Sequence, residues 1–308
     1  MIDRNSLSKI GIGTWGIGGF QARDVRNDDK KQIEALSYSF TKGINYIVCN
    51  MFYAEGYAVK LVSKAVQVSG VKRKDIFITL TLSPRSVQSI QACKEELKKF
   101  SKISGFEYID SIQIPMISIV RIGFNKMVDF IHTLLKEKRA RYVNIVNSNL
   151  EYLKKWHNEF QDKLFAHEVG FNFEVRDNEE FGNMKYAIDY DILNVIFQPL
   201  RRNKIAQKNY DLLVSLAKKY RKTQNQIMLN WISSKGYLPI IKSDSIAHID
   251  ENLGAFDFKI DPDDIRKIDE FRVPGYKTPE IDWKGTGDGI LVDQLHNVFD
   301  EVVSKTDT

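Results

Sequence analysis

A disulfide framework and a metal-ligand cluster are both missing from this chain. Its two cysteines, Cys49 and Cys93, fall in different predicted elements with no second ligand at metal spacing, which fits a reducing compartment. The five histidines are scattered, and no Ser-His-Asp constellation is evident. His132 and His157 read as surface residues of outer helices, and Cys49 reads as a packed thiol because no base adjoins it. No run approaches the roughly 18 apolar residues of a membrane helix. At the N-terminus, MIDRNSLSKIGIG puts Asp3 and Arg4 where a signal peptide needs an apolar core, so the expected location is cytoplasmic. A large block of one charge is also lacking: 45 Lys and Arg against 40 Asp and Glu give +5. The densest basic runs, residues 136–141 and 201–204, read as solvated faces, and neither nucleic acid nor a membrane is an expected partner. Oligomeric state is not legible.

What is present is an ordinary globular composition, 43% hydrophobic and 28% charged over 308 residues. Eight short apolar runs, at 10–15, 46–48, 76–82, 108–114, 142–146, 164–169, 192–197 and 238–241, alternate with helical patterns. The helices are expected over 28–42, 56–69, 86–100, 125–138, 150–161 and 210–220. A further one is capped by Thr223, runs through Trp231 and Ile232, and ends at Gly236. Eight strand and helix alternations without a linker predict one (β/α)8 TIM barrel over 1–275, followed by a tail over 276–308. An open doubly wound sheet would want a G-x-G-x-x-G opening a helix, whereas GIGTWGIGG (11–19) ends a strand and enters a loop. Those glycines allow either a flexible turn or close backbone approach to a ligand, with Trp15 as a wall. The tail carries Trp283, Leu295, His296 and Phe299, and either packs on the barrel flank or covers its mouth.

Barrel chemistry sits at the C-terminal ends of the strands. There the chain places Trp15; Cys49, Asn50 and Tyr53; Thr81; Pro115; Asn147; Glu168; Phe197, Gln198 and Pro199; and Lys242 and Ser243. His167 is expected to point away from an interior that holds Glu168, because strand neighbours alternate faces. After the last strand, a cation, a hydroxyl and a helix start at Ser245 make an anion site by construction.

The segment IIKSDSIAHIDEN (240–252) resembles the stretch with which aldo/keto reductases bind the adenosine phosphate end of NADP(H). KIGIGTWGIGG (9–19), GINY (43–46), YID (108–110), RYV (141–143), QPL (198–200) and TQNQIMLNW (223–231) resemble the same family in order and spacing. The resemblance spans residues 10–271. It implies Lys242, Ser243, Ser245, Glu251 and Asn252 at the phosphate and adenine end, with Trp15, Pro199 and Leu200 also along the cofactor. His248 stands where the family usually has an arginine for the 2′-phosphate. An imidazole is mostly neutral at pH 7, so NADP(H) is expected with NAD(H) as the alternative nucleotide.

At the nicotinamide end the resemblance implies Asn147, Glu168 and Phe197. Val146 replaces a serine. Glu168 replaces a glutamine, and when ionised it accepts a hydrogen bond but cannot donate one. Phe197 replaces the stacking tyrosine and keeps its ring face.

The family reduces carbonyls with a tyrosine proton donor supported by a lysine, an aspartate and a histidine. By this resemblance Tyr53 keeps the tyrosine position, while Val48 replaces the aspartate, Thr81 the lysine and Pro115 the histidine. An unassisted phenol titrates near 10, so ordinary reductase activity is expected to be nearly absent. Three readings follow. One is an NADP(H)-binding protein without ordinary reductase activity, in a sensor or accessory role. Another is an active oxidoreductase acting on a carbonyl or alcohol through Tyr53 with Glu168 or a tail residue. The third is a scaffold that has lost the nucleotide, against which the retained Lys242, Ser243, Glu251 and Asn252 argue.

Overall fold

A computed structural model describes residues 4–274. Eight parallel strands form a closed barrel in sequence order. They are β1 Gly11–Gly13, β2 Tyr46–Asn50, β3 Phe77–Thr81, β4 Ile109–Pro115, β5 Ala140–Val146, β6 Leu164–Gly170, β7 Leu193–Phe197 and β8 Leu238–Ile241. Closure comes from Gly11 paired with Ile240 and Ile12 with Ile241. A Cβ at Gly11 would come within 2.9 Å of the Ile240 side chain and 3.0 Å of the Tyr46 ring, so a side chain there would split the seam.

The lower interior is an aromatic plug. Phe77 stacks on Tyr46 at 5.3 Å and on Phe165 at 4.6 Å, and Phe165 lies 5.0 Å from Tyr142. Val48, Ala166, Val195, Leu238 and Ile240 fill in around these rings. A filled floor leaves function to the strand ends above it.

The expected helices are present with shifted ends. The helix predicted over 86–100 begins only at Ile90, capped by the Ser89 hydroxyl. The preceding residues are held as a turn, because the half-buried Glu96 carboxylate accepts from the Ser83 backbone N–H at 2.9 Å and the Ser86 hydroxyl at 3.0 Å. The first strand is shorter than residues 10–15, since Gly16 (φ 86°) and Gly18 (φ 73°) turn the chain away. Thr223 caps the helix Gln224–Ser234, as expected, and Gln226 completes a capping box beyond that expectation. The tail over 276–308, with Trp283 and His296, lies outside the described residues. Among the described residues no helix is long and apolar enough to cross a membrane, and no three His, Cys, Asp or Glu side chains gather into a metal site.

The last helix among the described residues, Pro262–Glu270, is locked to the helix Asp211–Tyr220 by Asp264. That carboxylate, 2% exposed, accepts from Lys219 at 2.6 Å, Lys267 at 2.7 Å and the Tyr220 hydroxyl at 2.7 Å. These bonds hold its titration below the usual carboxylate range. The stability they contribute is therefore complete above an unfolded aspartate's pKa and lost as pH falls through the folded value. Asp264→Asn should cost about 1–3 kcal/mol at pH 7. The half-exposed lysines put the figure at the low end. In denaturant titrations the gap between parent and variant should close below about pH 4, and a gap independent of pH would refute the assignment.

Candidate functional site

Strand register brings most of the sequence-selected side chains to one mouth. Val48 on β2 pairs with Thr79, Asn50 with Thr81, Thr81 on β3 with Gln113, and Pro115 on β4 with Val146. Val48, Thr81 and Pro115 therefore sit on three successive strands at rising levels, Val48 two residues below the level of Thr81 and against the aromatic plug, Pro115 two residues above it. The loop that carries Tyr53 turns sharply, with Ala54 at φ 48° and Glu55 at φ 58°, and is pinned by Ala54 N–H donating to the Phe20 carbonyl at 2.6 Å. Tyr53 lies edge-on to Trp15 at 4.9 Å, and Trp15 lies 5.4 Å from Phe20. Burial first, then the nearby Glu168 and Cys49, push the Tyr53 phenol up from its ordinary value. Among the described residues no cation opposes that rise.

Glu168 ends up 7% exposed near the top of β6. Its carboxyl accepts from the Gln113 amide at 3.0 Å. Burial pushes it up to about 7, with the Gln113 bond pulling the other way. The expectation that His167 points outward is correct: its Nε2 accepts from the Ser148 N–H at 3.2 Å in a site with 0% exposure, and burial pulls it down to about 3. Cys49 faces the apolar shell rather than the mouth, and burial pushes its thiol up to about 12. His132 is half exposed and bonds Glu159 at 2.7 Å, while His157 bonds the Tyr186 hydroxyl at 2.9 Å.

Asn147 takes a left-handed φ of 53°, and its N–H donates to the Glu168 carbonyl at 3.0 Å. Phe197 closes the same corner. Its ring lies over Gly170, where an added Cβ would meet it at 3.2 Å, so the glycine lets the ring lie flat at the strand end. The chain then crosses Gln198, Pro199 and Leu200 into a turn where Gln198, Arg201, Arg202 and Asn203 all have positive φ. Arg202 reaches over the Phe20 ring at 5.5 Å, joining the loops after β7 and β1.

After β8, Ser245 caps the helix Ile246–Leu253, and its own N–H is held by the Ser243 hydroxyl at 3.1 Å. Lys242 projects beside this helix start and pairs with Asp244 at 2.9 Å, a carboxylate the sequence reading passed over. His248 is exposed, and Asn252 is buried. Glu251 is turned toward the barrel helices, accepting from the Thr223 hydroxyl at 2.7 Å.

The sequence reading also missed an interior polar network. Asn144 donates to the Tyr46 hydroxyl at 3.0 Å and to Thr79 at 3.2 Å, beside the Gln113 and Glu168 pair. The signal was available: Ser111, Gln113 and Pro115 alternate onto one face, so the residue two before Pro115 had to look inward.

Fold and mouth together define the class, a (β/α)8 barrel whose chemistry-bearing groups gather at the C-terminal ends of its strands. The model of the aldo/keto reductase family matches residues 9–273, and the chain belongs to that family. It is 24% identical over 271 residues to a 9,11-endoperoxide prostaglandin H2 reductase of Trypanosoma cruzi, covering 86% of this chain and 87% of the relative. Among solved structures it is similar to the thermostable aldo-keto reductase Tm1743 in complex with the inhibitor epalrestat. There the TM-score is 0.76 at 25% identity, over 85% of this chain and 94% of the other. A Klebsiella pneumoniae aldo/keto reductase in complex with NADP and acetate shares the fold, with a TM-score of 0.75 at 19% identity over 88% of this chain and 94% of the other.

Proposed function

We propose that this chain binds NADP(H) at the C-terminal face of its barrel and has lost ordinary carbonyl reduction or retains it only weakly, serving as a redox sensor or accessory protein. The observation that carries the second half is the setting of Tyr53. Its phenol is pushed up by burial, with Val48, Thr81 and Pro115 in place of a carboxylate, an ammonium and an imidazole. A phenol so placed is a poor proton donor at neutral pH.

The donor set fits a dinucleotide. Lys242, Ser243 and the helix capped by Ser245 would hold its phosphate end, with Asn252 nearby, and Phe197 and Asn147 would hold the nicotinamide. When bound, the dinucleotide supplies a hydride. The chain's own residues supply a platform, an anion site and a phenol. Asp244 on Lys242 and the exposed His248 both reduce the pull on a 2′-phosphate, so NAD(H) is the nucleotide to test beside NADP(H). The Klebsiella complex with NADP supports the nucleotide.

Titration with NADPH and NADH should give saturable binding. NADPH oxidation over a panel of aldehydes should stay at background, and robust turnover overturns the proposal. A second reading, an active oxidoreductase of a carbonyl or alcohol, is favoured by one observation: the Glu168 carboxyl is pushed up to about 7, suited to proton transfer at neutral pH. It requires an NADP(H)-linked activity that Tyr53→Phe abolishes.

A further inference from the structure

Among the described residues no cation pairs with the Glu168 carboxyl. Its side-chain hydrogen bond comes from a neutral amide, Gln113 at 3.0 Å, and burial and that bond are what govern its titration. The Gln113 Oε1 and Asn144 Oδ1 atoms, from residues paired between β4 and β5, are buried with no hydrogen-bond partner. Besides the amides of Gln113 and Asn144, which already donate, and the uncharged phenols, this corner presents unpartnered acceptor oxygens. It lies beside Asn147 and Phe197, since Val146 and Val195 flank Glu168 in register and the Phe197 ring lies over Gly170. Among the described residues the titratable groups that face Glu168 are the Tyr46 and Tyr53 phenols, both pushed up and so uncharged at neutral pH. From β4, β5 and β7 the neighbours are Gln113, Asn144, Val146, Val195 and Phe197, none of which titrates.

We propose that this electronegative corner makes the site prefer the oxidised, positively charged nicotinamide ring over the reduced, neutral one, with the Glu168 carboxylate as its counter-ion. The inference rests on the dinucleotide-binding reading above and adds a preference between its two forms. A buried carboxylate that lacks a partner gains most from a cation brought against it. The reduced ring brings no charge, and favours the protonated carboxyl, which can donate to the ring's amide. The ratio of oxidised to reduced affinity therefore rises with pH as Glu168 ionises, through the region of about 7. Effects of pH on the phosphate end act on both forms alike and cancel in the ratio.

The test is calorimetric titration of the full chain with NADP+ and with NADPH at pH values from about 6 to about 8.5, spanning the Glu168 transition. The affinity ratio should shift toward the oxidised form by about tenfold or more across that range. Glu168→Gln should bind both forms with a flat ratio. A pH-independent ratio in the parent chain, or the same slope in Glu168→Gln, overturns the preference while leaving dinucleotide binding intact. Failure of both forms to bind at any pH overturns the underlying reading as well.

Discussion

The triple variant Val48→Asp, Thr81→Lys, Pro115→His should reduce aldehydes with NADPH about 10²- to 10⁴-fold faster than the parent chain. The strand register puts these positions on the neighbouring strands β2, β3 and β4, two residues apart in level, and the longer side chains should reach the Tyr53 phenol. An ammonium beside Tyr53 stabilises the phenolate and brings its titration down toward the working pH. The three changes depend on one another. Val48 is 4% exposed, so an aspartate placed there alone would be a buried charge without a partner, and Val48→Asp by itself should weaken the fold. With Thr81→Lys present, the pair neutralises. The ultraviolet titration of the phenols should show one tyrosine descending in the triple variant, and adding Tyr53→Phe should remove the gained rate. A folded triple variant that binds NADPH and still shows no gain would mean that Tyr53 does not hold the proton donor's position.

Trp231→Ala should lower unfolding free energy by about 3–5 kcal/mol. The indole is fully enclosed, stacks on Phe171 at 5.2 Å, and donates its Nε1–H to Asp269 at 2.9 Å. Its loss would also strip a partner from Arg176, a guanidinium 2% exposed that lies 4.2 Å over the ring and is pulled down to about 10, chiefly by burial. Truncation thus opens a cavity and removes the ring from beneath a buried cation, which keeps its bonds to the Phe173 and Ile268 carbonyls. Trp231→Phe keeps the ring face and drops only the donor, so it should lose less. Denaturant midpoints at constant m-value would measure both, and a loss under about 1 kcal/mol for the alanine variant would contradict the packing described.

The barrel was legible because alternating apolar runs and helical periods survive whatever the loops do. Strand order, the cap at Thr223 and the outward face of His167 all follow from local period and local hydrogen bonding. The sequence also placed Tyr53, Glu168, Phe197 and Lys242 at strand ends, since each directly follows or closes an apolar run. It misjudged the start of the helix at Ile90, where a carboxylate ten residues or more away in the chain, Glu96, organises the turn at Ser83 and Ser86. It passed over Asp244 and Gln113 for a related reason: neither stands out by residue type, and each matters through what it touches.

Which residues this chain carries on and after its strands was thus determined by the sequence alone, down to a phenol in the loop after β2 and a valine, a threonine and a proline on β2, β3 and β4. What those residues are chemically was decided only by the tertiary structure. Burial, not residue type, lifts Glu168 to about 7 and the Tyr53 phenol beyond its ordinary value. Strand register, not sequence spacing, turns Gln113 and Asn144 toward the same corner. Solvation and through-space neighbours set the charge of an ionisable group, and both are properties of the folded barrel.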